Sequence, residues 1–353
     1  MSAICNRRKG SRSAKGAALL FCGLFLFLLI FPGCSGAQRY SVTFADVFDT
    51  VTTFTAYTRS RADFDALADR LHAFLLEEHR RFDIYREYDD LANLCTVNRR
   101  AYAEPVAVDR DLMELLLFSR EMADRSGGKL NIALGPVLLL WESARERAAA
   151  APDAAAPPDP EALEEAARHC RPADLVLDPE AGTVRFLDPA MRLDVGAVAK
   201  GWAQAGAMAL LESLGCADYL LNMGGSVCCR GLKPGGAAWT IGLEDPLDKA
   251  KAMRTFSLTD SCAVTSGIDQ RYFLAGGTRY HHLIDPDTGY PGSEYSQVTV
   301  LLPDPAMADA LSTALFLLDR EAGLSLAETA KAQVLWIYPD GSFAATDGFP
   351  KLN

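Results

Sequence analysis

The sequence predicts an α+β fold in which mixed sheets are flanked by helices. At 353 residues the chain can bury the core of one large domain or of two medium ones. Runs rich in Val, Thr and aromatic residues are mixed with amphipathic helical segments, without the strict strand–helix alternation of a doubly wound parallel sheet. Several of these runs end in small-residue turns, and the chain has no internal repeat at a fixed period.

The N-terminus has the pattern of an export signal. A cluster of basic residues precedes a charge-free apolar segment that is shorter than the ~20 residues of a membrane span. Gly33 directly before Cys34 resembles a bacterial lipobox, in which the cysteine is acylated and becomes the mature N-terminus. We therefore expect residues 1–33 to be a lipoprotein signal peptide, residues 34–42 a tether and residues 43–353 the folded domain. A plain signal peptide and an uncleaved anchor are the alternatives.

The charge of the chain excludes one class of partner. The net charge is −11, and removal of residues 1–33 takes away five basic residues and no acid, so the mature chain is more acidic still. Nucleic acids are bound mainly through positive charge, and we therefore expect no nucleic acid partner. A polyphosphate ligand would need local positive groups or divalent cations.

The cysteines show no metal-binding spacing. No C-x-x-C or Cys/His pattern occurs, so a zinc site is not expected. Disulfide bonds between some of the cysteines are compatible with export. We nevertheless expect most of the cysteines to be buried free thiols. The vicinal Cys228 and Cys229 would point to opposite faces if they lie on a strand.

The first third of the predicted domain contains residue patterns that are typical of strands and helices. Residues 44–57 are rich in Thr, Val and Phe, which favours one or two strands. Residues 61–81 carry apolar side chains at helical spacing and predict an amphipathic helix. Residues 105–108 predict a short strand, and Asp109 is the expected N-cap of the helix that follows.

The remainder continues with mixed elements. Residues 148–160 are an Ala/Pro-rich surface excursion, followed by a helix that ends near His169. Two further helices are expected, one from Trp202 to Leu210 and one over residues 307–316. Strands are predicted at residues 183–187, 239–243, 262–267, 298–302 and 333–338, and a turn at residues 287–291. Residues 219–227 predict a strand that runs into the double glycine at 224–225.

Residues 194–201 connect a predicted strand to a predicted helix and hold one carboxylate, one ammonium group and two glycines. Glycine lets a ligand approach the backbone, and a helix N-terminus attracts phosphate. Asp194 could orient a ligand or a metal-bound water, and Lys200 could meet a phosphate as a point charge. A helix start with a solvated lysine explains the same residues, so this segment alone leaves both interpretations open.

Three further side chains are candidates for chemistry. Asp309 and Thr313 lie one turn apart on one face of a predicted helix, and their oxygens are donors of the kind that Mg²⁺ prefers. His281 and His282 lie between a strand and a polar turn, and histidine is the usual general base near neutral pH. Adjacent side chains often point in opposite directions, so we expect at most one histidine to face a site. Taken alone, each residue is also explained by a structural role.

Five motifs occur in a specific order: DVGAVAKG at 194–201, NMGG at 222–225, TSG at 265–267, HLIDPDTGYP at 282–291 and DALST at 309–313. This ordered set resembles the ApbE family of flavin transferases, from about Phe48 to the C-terminal strand. The resemblance implies an α+β fold related to the T-fold, binding of FAD and Mg²⁺, and transfer of FMN to a Thr or Ser hydroxyl of a partner flavoprotein with release of AMP. Some relatives are periplasmic lipoproteins, which agrees with a lipid anchor at Cys34 on the periplasmic face of a bacterial membrane.

The resemblance also implies roles for individual residues. The Ala197 carbonyl, Asp309 and Thr313 would hold the metal, and His282 would deprotonate the acceptor hydroxyl. The residues implied to line or contact FAD are Phe48, Tyr85, Lys129, Leu130, Asn131, Asp194, Lys200 and Leu283. The chain departs from the common pattern with Phe48-Asp49-Thr50 in place of Met-Gly-Thr, Leu130-Asn131-Ile132 in place of Phe-Asp-Pro, and Ala197 in place of glycine.

We therefore expect an exported, lipid-anchored, Mg²⁺-dependent FAD:protein FMN transferase. One alternative is an FAD pyrophosphatase that yields FMN and AMP at the same site, because water can replace the acceptor hydroxyl. The other is a lipoprotein that binds FAD without catalysis. The substitutions in the flavin-lining segments bear on FAD affinity and on the balance between transfer and hydrolysis.

Overall fold

The computed structural model describes residues 36–246 and 254–353. The predicted signal peptide and the predicted acylation site at Cys34 lie outside these residues. Within the described ranges, no helix combines the length and the apolarity needed to cross a bilayer. The mixture of helices and antiparallel sheets confirms the predicted α+β class.

The described residues contain strands in several sheets, and the largest sheet forms the centre of the protein. The strands are β1 (Gln38–Val47), β2 (Thr50–Thr58), β3 (Val106–Ala107), β4 (Leu175–Asp178), β5 (Thr183–Phe186), β6 (Tyr219–Met223), β7 (Ser226–Arg230), β8 (Trp239–Leu243), β9 (Arg254–Leu258), β10 (Ser261–Gly267), β11 (Tyr272–Ala275), β12 (Thr278–His281), β13 (Gln297–Leu302), β14 (Gln333–Ile337) and β15 (Phe343–Ala345). The large sheet has the order β1-β2-β6-β7-β10-β13-β14-β15, and every neighbouring pair is antiparallel.

The helices are named in chain order. They are α1 (Arg61–Phe82), α2 (Leu94–Arg100), α3 (Arg110–Arg125), α4 (Gly135–Ala150), α5 (Pro160–Ala167), α6 (Ala199–Ser213), α7 (Pro305–Leu317) and α8 (Arg320–Ala330). Ser60 caps α1 by accepting from the Asp63 N–H at 3.1 Å. Asp109 caps α3 by accepting from the Leu112 N–H at 2.9 Å, which confirms the predicted cap.

The main core lies between the large sheet and helices α1, α6 and α7. Phe54 of β2 stacks on Phe64 of α1 with ring centroids 5.3 Å apart, and both rings are fully buried. The buried Gln204 of α6 donates to the carbonyls of Leu221 and Ser226 at 3.0 and 3.1 Å. This side-chain amide provides hydrogen bonds to two backbone carbonyl groups of the β6–β7 hairpin, and it thereby holds α6 against the hairpin.

Smaller elements surround this core. The β8–β9 ribbon forms a second apolar cluster that includes Trp239 and Phe256. The β11–β12 hairpin packs on α4, where Trp141 stacks on Tyr280 with centroids 5.5 Å apart. A three-stranded sheet has the order β3-β5-β4. The α4–β11–β12 unit supports the loop that follows β12, because Trp141 of α4 donates to the Gly289 carbonyl in that loop.

The structure corrects the boundary of the predicted tether, residues 34–42. Residues 38–42 belong to β1, and Gln38 lies opposite Thr58 at the open end of the β1–β2 hairpin. Tyr40 and Val42 pack against the main core. The strand therefore extends beyond the predicted start at Phe44, because its inward-facing positions remain apolar toward the N-terminus.

The vicinal cysteines lie on β7. Cys228 contributes to the main core and Cys229 to the cluster under β8–β9, which confirms that the two face opposite sides. Cys228 lies directly opposite Cys262 of β10, and the two form a disulfide. The remaining described cysteines are free and buried, as expected by default: Cys95, Cys170, Cys216 and Cys229.

Candidate functional site

One cavity of about 420 Å³ is lined by the β1–β2 turn, the end of α1, the start of α6, the end of β10 and the buried side of α7. Segments from almost the whole described chain meet there. The lining includes every residue implied for flavin, metal or proton transfer: Phe48, Tyr85, Lys129, Leu130, Asn131, Asp194, Ala197, Lys200, His282, Leu283, Asp309 and Thr313. The fold brings these residues together, while their individual roles stay predictions.

The β1–β2 turn presents Phe48 to the cavity in a strained backbone conformation. Phe48 and Asp49 have φ angles of 55° and 49°, a region that residues with a Cβ rarely adopt. The Phe48 N–H donates to His79 Nδ1 at 3.1 Å, and the two rings meet edge to face with centroids 5.8 Å apart. Helix α1 therefore holds a turn whose conformation costs about 1–2 kcal/mol per residue.

Tyr85 follows α1 and stands at the side of the cavity. The residue is 61% exposed, and its hydroxyl donates to Glu142 Oε1 of α4 at 2.7 Å. Burial around the hydroxyl and the hydrogen bond to the Glu142 carboxylate raise the pKa of Tyr85 above its ordinary value. An exposed ring that is anchored through its hydroxyl is well suited to stack on a planar ligand.

Residues 129–131 form a second wall of the cavity. Leu130 is buried, and its N–H donates to Ser126 Oγ at 3.0 Å. Asn131 caps the short helix that follows by accepting from the Ala133 N–H at 2.9 Å, while its amide donates to the Cys170 carbonyl at 2.9 Å. These bonds fix the backbone of the segment, so its position does not depend on a ligand.

The ammonium group of Lys129 forms ion pairs with two carboxylates of the turn that follows His282. Lys129 Nζ lies 2.8 Å from Asp285 Oδ1 and 2.8 Å from Asp287 Oδ2. Burial alone would lower the pKa of Lys129, but the two carboxylates raise it above its ordinary value. On the other side, Trp141 Nε1 donates to the Gly289 carbonyl at 2.8 Å. The turn is thus held from two directions.

The two adjacent histidines have different environments, as expected from the sequence. His281 Nε2 donates to the Gly292 carbonyl at 2.8 Å and belongs to the packed interior. His282 lines the cavity, and its Nδ1 is buried without a hydrogen-bond partner among the described residues. Of the two histidines, only His282 therefore has a ring nitrogen without a hydrogen-bond partner in the described part of the chain.

The electrostatic environment keeps His282 neutral. Burial, followed by the positive charge of Arg271, lowers the pKa of His282 from 6.5 to about 3, and Lys200 acts in the same direction. A neutral imidazole with an unpartnered nitrogen can accept a proton. Negative charge brought to Lys200 and Arg271 would offset their effect and make the imidazole more basic.

The segment before α6 is held by polar contacts on both sides. The Asn98 side chain binds both backbone groups of Leu193. It donates to the Leu193 carbonyl at 2.9 Å and accepts from the Leu193 N–H at 2.7 Å. The Asp194 N–H donates to the Ile132 carbonyl at 2.8 Å, and Asp194 Oδ1 accepts from the Gly196 N–H at 2.7 Å. Burial raises the pKa of Asp194. This side chain is placed to accept from a ligand donor in the cavity.

Helices α6 and α7 come into close contact at Asp309. The residue is only 4% exposed, and its Oδ2 accepts from the Gly201 N–H at 2.8 Å. Lys200 Nζ lies 3.4 Å from Oδ1. A Cβ at Gly201 would lie 2.4 Å from the Pro305 carbonyl oxygen, so only glycine allows this approach.

The oxygen donors of the cavity lining include groups that suit a hard divalent cation. The described residues contain no group of three or more His, Cys, Asp or Glu side chains that could hold a metal. Ala197, Asp309 and Thr313 line the same cavity and offer one carbonyl, one carboxylate and one hydroxyl. A set with a single carboxylate fits Mg²⁺, which usually keeps waters and binds substrate phosphates.

Among the cavity residues that the sequence-based set lacks, two interact directly with members of that set. Arg271 lies on the loop after β10. Its positive charge adds to the lowering of the His282 pKa and opposes the rise in the pKa of Tyr85 and Asp194, so it lies within electrostatic reach of all three. Glu142 is the partner of Tyr85. Neither belongs to a recognisable motif; the position of Arg271 shortly after the TSG motif is the one sequence signal that pointed toward it.

Comparisons of this chain with known protein families and proteins agree with the site described above. The model of the ApbE family matches residues 48–336. The FAD:protein FMN transferase of Treponema pallidum is 35% identical over 291 residues, covering 78% of this chain and 78% of that protein. The FAD:protein FMN transferase of Klebsiella pneumoniae is 32% identical over 253 residues, covering 69% of this chain and 76% of that protein.

Solved structures show the same architecture. The flavin transferase ApbE from Vibrio cholerae has a TM-score of 0.75 at 25% identity, covering 88% of this chain and 97% of that chain. The ApbE protein from Thermotoga maritima has a TM-score of 0.77 at 24% identity, covering 88% of this chain and 97% of that chain, which is a likeness in fold. The predicted ApbE-like fold is confirmed.

We predict that His282 makes the protein sensitive to acid. Its pKa of about 3 lies below the ordinary 6.5, so the unfolded chain binds this proton more readily than the folded one. The unfolding free energy should therefore fall as the pH drops from 6.5 toward 3, by up to about 1.4 kcal/mol per pH unit. Urea denaturation at several pH values should show a weaker acid dependence for His282→Gln.

His169→Gln is the matched control for this measurement. The Asp188 carboxylate raises the pKa of His169, so the contribution of this group is present at low pH and is lost as the pH rises. At pH values between 6.5 and about 4, above the range in which Asp188 titrates, His169→Gln should therefore keep the acid sensitivity of the wild type. Equal acid sensitivity of the wild type and His282→Gln would contradict a buried neutral imidazole.

Lys129→Met should destabilise the turn after His282. The substitution leaves Asp285 without its cation, and a charge-assisted bond at a mostly buried site contributes about 1–3 kcal/mol to stability. Asp287→Asn should cost less than about 1 kcal/mol, because Asp287 is 71% exposed. Urea denaturation measures both. Unchanged stability of Lys129→Met combined with weaker FAD binding would show that this ammonium serves the flavin instead of the turn.

Proposed function

Since this chain belongs to the ApbE family, a family of flavin transferases, we propose that it transfers FMN from FAD to a Thr or Ser hydroxyl of a partner flavoprotein and releases AMP. The observation that carries the proposal is one cavity in which a neutral His282 with an unpartnered nitrogen lies together with the cations Lys200 and Arg271 and with an oxygen donor set. This combination suits attack by a hydroxyl on a pyrophosphate.

The proposed reaction makes one bond and breaks one bond at phosphorus. The acceptor oxygen bonds to the FMN phosphorus, and the bond from this phosphorus to the oxygen bridging to AMP breaks. AMP leaves with that oxygen and the bonding electron pair. The acceptor hydroxyl loses its proton, which the free nitrogen of His282 can accept. Burial of the ring keeps the nitrogen unprotonated before the reaction.

The residues around the phosphates would balance their charge. Lys200 and Arg271 both act electrostatically on His282, so they lie close enough for a pyrophosphate near them to raise its pKa toward neutrality. Ala197, Asp309 and Thr313 would hold Mg²⁺. When bound, the metal supplies Lewis-acid stabilisation of charge on the phosphate oxygens. Binding of the substrate would thus strengthen the base that the transfer requires.

The flavin end of FAD would lie among the apolar and aromatic residues of the cavity. Tyr85 offers an exposed ring, and the side chains of Leu130 and Leu283 are buried in the walls. Phe48 contributes from the strained turn. Asp194 is placed to accept a hydrogen bond from the nucleotide. Stacking and burial of this kind provide affinity without taking part in the chemical step.

The test is incubation of the purified mature domain with FAD and Mg²⁺, with and without an acceptor flavoprotein. We expect covalently bound FMN on the acceptor and an equal amount of AMP. An acceptor variant with Val in place of the target Thr should stay unlabelled. AMP that forms equally without acceptor would favour a pyrophosphatase, and bound FAD without AMP would favour a binding protein; either result contradicts the transferase proposal.

Two variants distinguish the role of the metal site from the role of the general base in this assay. Asp309→Ala should abolish metal-dependent turnover, because it removes the one carboxylate of the donor set. His282→Ala should lower the rate of transfer by about 10²–10⁴-fold while FAD binding, followed by flavin fluorescence, changes little. Full activity of Asp309→Ala would contradict the metal assignment.

We also propose that the protein is exported and anchored through an acylated Cys34 on the periplasmic face of the membrane. Ser35, Gly36 and Ala37 are the residues between Cys34 and β1, and they span at most about 10–14 Å. The folded domain would therefore lie directly at the lipid surface.

In cell fractionation, the wild type should partition with membranes and require detergent for extraction, whereas Cys34→Ser should lose the anchored form. Cys95→Ser is the matched control, because Cys95 is a buried free thiol within the fold. Membrane association of Cys34→Ser equal to that of the wild type would favour an uncleaved anchor.

A further inference from the structure

The buried carboxylate of Asp309 already has a cationic partner in the protein alone. Its Oδ2 accepts from the Gly201 N–H at 2.8 Å, and the Lys200 ammonium lies 3.4 Å from Oδ1. Asp309 is 4% exposed, while the Lys200 side chain is 31% exposed and lines the cavity. One partner of the carboxylate is therefore a fixed backbone group, and the other is a flexible side chain that reaches solvent.

We propose that Lys200 is an exchangeable counter-ion, which neutralises Asp309 in the ligand-free protein and turns to the dinucleotide phosphates when a divalent cation takes its place. This inference rests on the proposed function, because it uses the same metal and the same phosphates. It assigns to Lys200 a task that precedes the reaction, in addition to contact with FAD.

The exchange follows from the cost of burying charge. An ionised carboxylate that leaves water without a partner is strongly destabilised, so Asp309 needs a positive charge whether or not a metal is bound. The Gly201 N–H donates to Oδ2, which leaves Oδ1 as the less committed oxygen. Because Lys200 lies at that oxygen, a cation binding there would meet the ammonium group and repel it.

The position of Lys200 allows it to leave. It is in the first turn of α6, and its side chain is partly exposed to solvent. The separation of 3.4 Å exceeds the usual length of a charge-assisted hydrogen bond, so the contact is a charge pairing that constrains the side chain weakly. The four-carbon stem of lysine lets the ammonium move without a change in the backbone.

A coupling between metal and phosphate is the consequence. The metal must displace Lys200, and a phosphate in the cavity gives the displaced ammonium a new partner. Each ligand therefore lowers the cost of binding the other, and the effect is reciprocal by thermodynamic linkage. Without Lys200, the carboxylate would be free for the metal at all times, and part of this coupling would disappear.

The first test is titration of the nucleotide-free mature protein with Mn²⁺, in which the free ion is measured by electron paramagnetic resonance. Lys200→Met should bind Mn²⁺ at least about fivefold tighter than the wild type, the lower end of typical coupling between sites. Arg271→Met removes a positive charge from the same cavity and leaves the ion pair between Asp309 and Lys200 in place. It should change the affinity by less than about twofold. Asp309→Asn should lose the site.

Thermal unfolding provides a second readout. Without metal, Lys200→Met should melt below the wild type, because its buried carboxylate lacks a counter-ion, and Mn²⁺ should restore most of the loss. The wild type and Arg271→Met should respond to Mn²⁺ much less. Lys200→Gln, which retains a hydrogen-bond donor without the charge, should lie between the wild type and Lys200→Met in both measurements.

A structure of the wild type with Mn²⁺ and no nucleotide keeps the proposal testable even if the variants fold poorly. The proposal expects the metal at Asp309 and the Lys200 ammonium beyond ion-pair distance. An ammonium that stays on Asp309 beside the metal, equal Mn²⁺ affinity of the wild type and Lys200→Met, or a site that persists in Asp309→Asn would overturn it. None of these experiments measures FMN transfer, so the exchange and the proposed function can fail independently.

Discussion

The close approach of α6 and α7 is the constraint on which the cavity depends. Val198, at the start of α6, has no capping side chain of its own, and the carboxylate of Asp309 from α7 accepts from the Gly201 N–H in the first turn. A helix N-terminus favours negative charge, so this bond stabilises the helix start and the buried carboxylate together. Because a Cβ at Gly201 would collide with the Pro305 carbonyl, the arrangement requires glycine at this position.

The other walls of the cavity depend on polar contacts between loops and the elements around them. Lys129 and Trp141 hold the turn after β12, and Asn98 holds the irregular segment before α6. The strained β1–β2 turn is fixed by His79. Side chains outside the reacting set thus determine where the cavity residues lie, which is a common way to keep a site ordered before its ligand arrives.

The sequence predicts elements and site residues wherever the signal is local. The Asp109 cap, the Phe54 strand, the helix over residues 307–316 and the ordered motifs each depend on neighbours within a few positions, and the structure places the motif residues around one cavity. It does not predict the partner of Lys129, since Asp285 lies far away along the chain. The same limit applies to Arg271, to the Cys228–Cys262 pairing and to the β11–β12 hairpin.

The β1–β2 hairpin separates two ends of the protein that matter to an experimenter. Its open end, where Gln38 pairs with Thr58, is about 30 Å from its turn at Phe48, given the length of a ten-residue strand. The turn borders the cavity, and the open end is where the chain enters the fold. A fluorophore, an affinity tag or a sensor surface attached ahead of Gln38 would therefore leave the cavity unobstructed, whereas an insertion at the turn would block it.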